Sequence, residues 1–181
     1  MGFAPYFAYG TTRKGFEHHR RLAHLLGQPV GRFRTASPHA VVVPRRAACG
    51  NPGCGHVHRM AALVPWVEPV HAEGDLFLVP DRGVAALDRL ETGSGGSDGP
   101  YVRAVVEVVA PDGARSRAAL AYVAREPARW RALVELGEAE ALAAYPAELA
   151  GALTPKACCV RAPGHAPPHD VVDPLAALAS R

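Results

Sequence analysis

The sequence predicts an α+β chain, a small mixed β-barrel or curved sheet with flanking helices, on three observations. Short strand-like runs recur along most of the chain, helical periodicity is concentrated late, and the length suits one domain. At 181 residues there is enough chain to bury a real core.

Residues 5–9 read as the first strand, ended by Gly10. From His18 to Leu26 the apolar positions Leu22, Leu25 and Leu26 suit a short helix, with Gly27 just past its end. Val30–Phe33 and Ala40–Val43 are the next strands. Residues 44–59 break the pattern with Gly, Pro, Cys and His, and read as an insertion or loop. Strands resume at Ala61–Val64 and Leu76–Val79, and residues 82–91 carry a short helical segment. Residues 94–99, Ser-Gly-Gly-Ser-Asp-Gly, read as a flexible loop. Tyr101–Val109 and Ala114–Val123 flank Pro111-Asp112-Gly113, a hairpin signal because Gly113 can supply a positive φ. A longer helix is expected from Pro127 to Tyr145. Trp130, Leu133, Val134, Ala141 and Tyr145 fall near one face, Pro127 suits the first turn and Pro146 stops it. A short helix over Ala147–Leu153 follows, and beyond Pro155 the chain is rich in Pro, His and Cys. The expected organisation is one domain over 1–155, interrupted by the 44–59 insertion, and a tail over 156–181.

Composition excludes several classes of function. Hydrophobic content of 49% with 20% charged residues is ordinary for a soluble globular protein. The net charge of +3 is small and its cations are nearly all Arg, which together with many Ala and Pro reads as base-composition bias. A nucleic-acid surface needs a basic stripe, and Arg13-Lys14 with Arg20-Arg21 is too short to make one. Met1–Pro5 has no basic region ahead of a long apolar run, and no window approaches the roughly 18–20 apolar residues of a membrane span. The expectation is therefore a cytoplasmic monomer or homodimer with no nucleic-acid or membrane partner.

Two places could hold chemistry. If residues 82–91 are helical, Val84, Leu87 and Glu91 share a face, which points a carboxylate inward. Glu91 also sits near the helix C-terminus, where the macrodipole disfavours negative charge. Desolvation and the dipole both raise its pKa toward values useful for a general base near neutral pH. The alternative is a frayed helix end with a solvated carboxylate. The second place is the turn at Gly10, where a strand end followed by small hydroxylated residues can aim several N–H groups at one anion. Its alternative is an ordinary strand-to-helix connection.

The motifs are read together in Tyr9-Gly-Thr-Thr-Arg-Lys-Gly15 with His19 and Leu22, Glu73-Gly-Asp-Leu-Phe77, and Leu87-Asp-Arg-Leu-Glu91. With Tyr101-Val-Arg103, Ala121-Tyr-Val123 and the segment from Trp130 through Leu149, their order and spacing resemble the γ-glutamylcyclotransferase family, in particular γ-glutamylamine cyclotransferase-like proteins. The resemblance covers roughly residues 5–154. It implies that Glu91 is the catalytic acid/base, that Tyr9, Gly10, Thr11 and Thr12 bind substrate, and that Tyr101 and Tyr122 line the site. It also implies a small-molecule γ-glutamyl amide substrate, cyclised to 5-oxoproline with release of an amine, and no cofactor for catalysis. Thr12 stands where the family usually has Leu or Asn, and Thr92 replaces the Gly that commonly follows the glutamate. An amide hydrolase on the same scaffold, or a non-catalytic zinc-stabilised binding module, are the alternatives.

Cysteine usage adds a separate reading. Cys49-x4-Cys54-x-His56-x-His58 lies in the insertion, and Cys158-Cys159-x5-His165-x3-His169 lies in the tail. Without a secretory signal, metal binding gains weight over disulfides. Thiolates and imidazoles at these spacings suit tetrahedral zinc, with Cys49, Cys54 and Cys159 plus His165 or His169 as a closed structural set. The remaining histidines His18, His24, His39 and His71 read as surface or interface residues.

Overall fold

The computed structural model describes residues 2–45, 61–92 and 99–147. Their order is β1 (Phe3–Ala8), α1 (Glu17–Leu26), β2 (Gly31–Thr35), β3 (His39–Pro44), β4 (Ala62–Pro65), β5 (Glu73–Pro80), α2 (Asp81–Glu91), β6 (Tyr101–Val109), β7 (Ser116–Ala124), α3 (Pro127–Glu135) and β8 (Ala139–Leu142). The mixed, curved sheet and its helices are the expected α+β architecture.

Five strands close on themselves. β1 pairs with β5, β5 with β2, β2 with β6 and β6 with β7, and β7 returns to β1 through Tyr6 opposite Leu120. Closure leaves no open edge along this circuit, as in any barrel. The β6–β7 hairpin turns at Pro111-Asp112-Gly113 as its residues predict, with Gly113 at φ 71°. From β7 the sheet continues outward through β4, β3 and β8. One edge of β7 is therefore shared between two parallel partners: β1 takes it at Leu120 and β4 at Val123.

Period-two alternation sends side chains to two cores. Phe7, Phe33, Leu76, Val106, Val108, Ala119 and Ala121 gather on one face of the closing strands. Tyr6, Phe77, Val79, Tyr122 and Ala124 gather on the other, under Leu26, Leu87, Trp130 and Leu133 from the three helices.

The expected long helix over 127–145 is corrected. Helix α3 ends at Glu135, and Gly137 at φ 71° turns the chain. Gly137 N–H donates to Val134 O at 2.9 Å and Glu138 N–H to Leu133 O at 2.8 Å, the two bonds of a Schellman cap. Residues 139–142 then form β8, antiparallel to β3 with Val41 opposite Leu142 and Pro44 opposite Ala139. Satisfying the edge of β3 and burying Ala139 outweigh the helix propensity of this Ala- and Glu-rich stretch. The short helix expected over 147–153 lies, beyond Ala147, outside the described residues. So do the 94–99 loop up to Asp98, residues 46–59 of the insertion, and the tail.

Candidate active site

Helix α2 packs Leu87 fully into the core and carries Glu91 on its last turn. The helix closes on Thr92, whose N–H and hydroxyl both donate to Asp88 O, at 2.9 and 2.7 Å. Glu91 keeps part of its surface accessible while protein surrounds its carboxylate. Burial pushes its pKa up from 4.5 to about 7. Its carboxylate accepts no hydrogen bond from a described residue.

Three buried tyrosines stand within electrostatic reach of this carboxylate: Tyr6 from β1, Tyr9 just past the end of β1, and Tyr122 from β7. Each phenol is held protonated well above its ordinary value, first by burial; the charge of Glu91 comes next for Tyr6 and Tyr9, whereas for Tyr122 the hydrogen bond to Asp88 and its charge precede that of Glu91. The rings of Tyr6 and Tyr122 meet edge-on at 6.1 Å. Their hydroxyls are engaged elsewhere. Tyr6 shares a hydrogen bond with Thr12 Oγ1 at 2.8 Å, Tyr9 donates to Tyr122 O at 2.5 Å, and Tyr122 donates to Asp88 Oδ1 at 2.8 Å.

The turn after β1 lies beside this group, because Tyr6 binds both Thr12 and, electrostatically, the surroundings of Glu91. Thr12 is buried; Thr11 Oγ1 hydrogen-bonds His18 Nδ1 at 2.7 Å. The turn is clamped to β5 by Asp75, whose Oδ2 accepts from Lys14 N–H at 2.9 Å and pairs with the buried Arg13 at 3.9 Å. Arg13 N–H closes onto Gly10 O and His19 N–H onto Thr11 O. The N–H groups of Gly10, Thr11 and Thr12 donate to no acceptor among the described residues.

The structure thus brings Glu91, Tyr9, Gly10, Thr11, Thr12 and Tyr122 into one region. Tyr101 is placed differently: its hydroxyl donates to Ala61 O at 2.9 Å, and its ring stacks on Trp130 at 6.4 Å. Cys49, Cys54, Cys159, His165 and His169 lie outside the described residues. Among the described residues no three His, Cys, Asp or Glu side chains converge as a metal site.

Sequence reasoning missed Tyr6, Asp88 and Arg103 as members of the site. Tyr6 reads as ordinary strand core. Asp88 and Arg103 stand inside the motifs Leu87–Glu91 and Tyr101–Arg103 with no role assigned, yet they pair at 2.7 Å beside Tyr122. The register of β6 on β7, which sets Arg103 opposite Tyr122, is the signal that joins them.

Comparison with known proteins places this geometry in context. The family described as gamma-glutamyl cyclotransferase, AIG2-like, matches residues 6–140. No curated protein matches the chain. Among solved structures, an AIG2-like protein from Mus musculus is similar with a TM-score of 0.59 at 19% identity, over 87% of this chain and 99% of that one. YkqA from Bacillus subtilis follows at a TM-score of 0.45 and 19% identity, over 68% of this chain and 36% of that one. A solution structure from Arabidopsis thaliana gives 0.47 at 14% identity, over 76% and 86%. The likeness in fold rests on the mouse structure.

Proposed function

The chain belongs to the AIG2-like gamma-glutamyl cyclotransferase family, and from that premise we propose that it is a γ-glutamyl-amine cyclotransferase with Glu91 as its acid/base. The observation that carries this reading is the state of Glu91: accessible, desolvated, free of donors among the described residues, and poised near a pKa of about 7. A carboxylate so placed can take a proton near neutral pH and return it.

The reaction asks for little else. The substrate's α-amine is its own nucleophile, held close to the γ-carbonyl, so the enzyme's first task is to keep the chain curled. Glu91 removes a proton from the α-ammonium, and the nitrogen attacks the γ-carbon. The tetrahedral intermediate collapses with rupture of the bond to the departing nitrogen. Two protons leave the α-nitrogen and two arrive on the leaving amine, so none is consumed overall. Glu91 serves both directions of this transfer. The open N–H groups of Gly10, Thr11 and Thr12 suit the substrate carboxylate or the developing oxyanion. Tyr9 and Tyr122 wall the site, and Tyr101 ties the start of β6 to the Ala61 carbonyl. The products are 5-oxoproline and a free amine or amino-acid derivative. A structural zinc on Cys49, Cys54, Cys159 and His165 or His169 stands beside this as a proposal from the sequence alone.

The test is to incubate the purified protein with a panel of γ-glutamyl amines and γ-glutamyl dipeptides and identify the acidic product. Release of 5-oxoproline is expected. Free glutamate instead would make the protein an amide hydrolase, and no turnover of any member would leave a binding module.

A further inference from the structure

Around Glu91 every phenolic proton has somewhere else to go. Tyr6 is paired with Thr12, Tyr9 with the Tyr122 carbonyl, and Tyr122 with Asp88. The third of these depends on charged side chains alone. Asp88 lies one turn before Glu91 on α2, its Oδ1 takes the Tyr122 hydroxyl, and its Oδ2 is held by Arg103 Nη1 at 2.7 Å. This ion pair is exposed, with 36% of the Asp88 side chain and 44% of the Arg103 side chain accessible. Exposed pairs contribute little to stability. What this one does is orient.

We propose that Asp88, fixed by Arg103, is a positioning residue that keeps the Tyr122 hydroxyl proton away from Glu91 and so preserves Glu91 as a base. The inference rests on the reading of Glu91 as the acid/base. A hydrogen bond donated to a carboxylate stabilises its charged form and lowers its basicity. Tyr122 is the phenol whose hydroxyl already bonds α2 itself, at Asp88 one turn before Glu91. The other groups facing Glu91 do not substitute for it. Tyr6 is committed to Thr12 in the turn after β1 and Tyr9 to the Tyr122 carbonyl on β7; the core beside them is apolar, with Phe77, Val79 and Leu26, and His19 packs on Phe77 at 5.6 Å.

The substitution Asp88→Asn reverses the polarity of the bond. Arg103 has only donors and captures the amide oxygen, which leaves the amide N–H facing the Tyr122 oxygen. The phenolic proton must then turn away, and the next carboxylate along α2, three residues on and on the same side of the helix, is Glu91, whose charge Tyr122 already senses. Asp88→Ala frees the same proton by removing both acceptors. Loss of the Asp88 charge also lowers the Glu91 pKa by itself, so the experiment compares two backgrounds.

The Glu91 carboxyl is titrated by NMR in protein labelled with 13C-glutamate, in wild type, Asp88→Asn, Tyr122→Phe and the double variant. The pKa of Glu91 is expected to fall in Asp88→Asn by roughly one unit more than the same change produces in the Tyr122→Phe background, the size of a hydrogen-bond contribution. Where turnover is measurable, the acid limb of kcat/KM moves to lower pH by the same amount. Equal shifts in the two backgrounds, or no shift in either, overturn the proposal. Because the titration needs no substrate, its result is separate from the 5-oxoproline assay. Failure of that assay would remove the function without touching the hydrogen-bond assignment.

Discussion

Glu91 combines a chemical role with a thermodynamic cost. Its carboxyl is raised from 4.5 to about 7, so between those values the folded state holds a proton that the unfolded state has lost. Stability therefore declines as pH rises through that window, and the protonated form contributes fully only below the unfolded value. Glu91→Gln removes the ionisation while keeping the shape. Turnover is expected to fall by roughly 10²–10⁴, and thermal stability at pH 8 should rise while stability at pH 4 stays near wild type. Calorimetry at the two pH values with the 5-oxoproline assay checks both halves; an active Glu91→Gln protein sinks the acid/base assignment. At this scale the sequence was half legible. The spacing of Val84, Leu87 and Glu91 placed the carboxylate on the core side of α2. The roles of Asp88 and Arg103 were not legible although both lie in the motifs, because their pairing depends on the register that sets Arg103 opposite Tyr122.

Strands were the most readable elements, since β-branched runs bounded by Gly and Pro leave few alternatives. The β6–β7 hairpin followed from Pro111-Asp112-Gly113 alone. The stretch after Trp130 shows where local reading stops. Its apolar positions fit one helical face through Tyr145, and nothing local reveals that β3 needs a partner along its edge. Gly137 was the available sign, a glycine four residues beyond the buried Leu133, in a position that requires φ 71°. Gly137→Ala puts a Cβ into that left-handed conformation at a cost of about 1–2 kcal/mol. Urea unfolding should show a lower midpoint with unchanged slope. A wild-type midpoint would mean that α3 can end without the cap and that β8 pairing alone sets the boundary.

Closing five strands into a ring forces backbones together, and the tightest approach falls where the ring meets the candidate site. Gly74 on β5 faces β1: a Cβ there would meet the Phe7 ring at 2.7 and 2.8 Å, and the Ala8 carbonyl oxygen closer still. Ala8 ends β1 immediately before Tyr9 and the Gly10 turn, while the neighbour of Gly74 is Asp75, which clamps that turn through Lys14 N–H and Arg13. The resemblance of the motifs placed the turn and Glu91 in one site without showing how they are joined. The junction lies in the packing of β1 on β5, which depends on residues distant in sequence. Gly74→Ala must push β1 and its turn outward, since a backbone oxygen cannot rotate away as a side chain can. An overpacked core of this kind costs about 1–3 kcal/mol. The same shift spreads the N–H groups of Gly10, Thr11 and Thr12, so KM for a γ-glutamyl amide should rise while the pH at which Glu91 titrates stays put. Steady-state kinetics across pH, with a denaturation curve on the same preparation, measures all three quantities. Loss of stability with an unchanged KM would show that barrel closure and anion binding are independent. A stable variant with wild-type KM would mean that β1 does not approach β5 this closely.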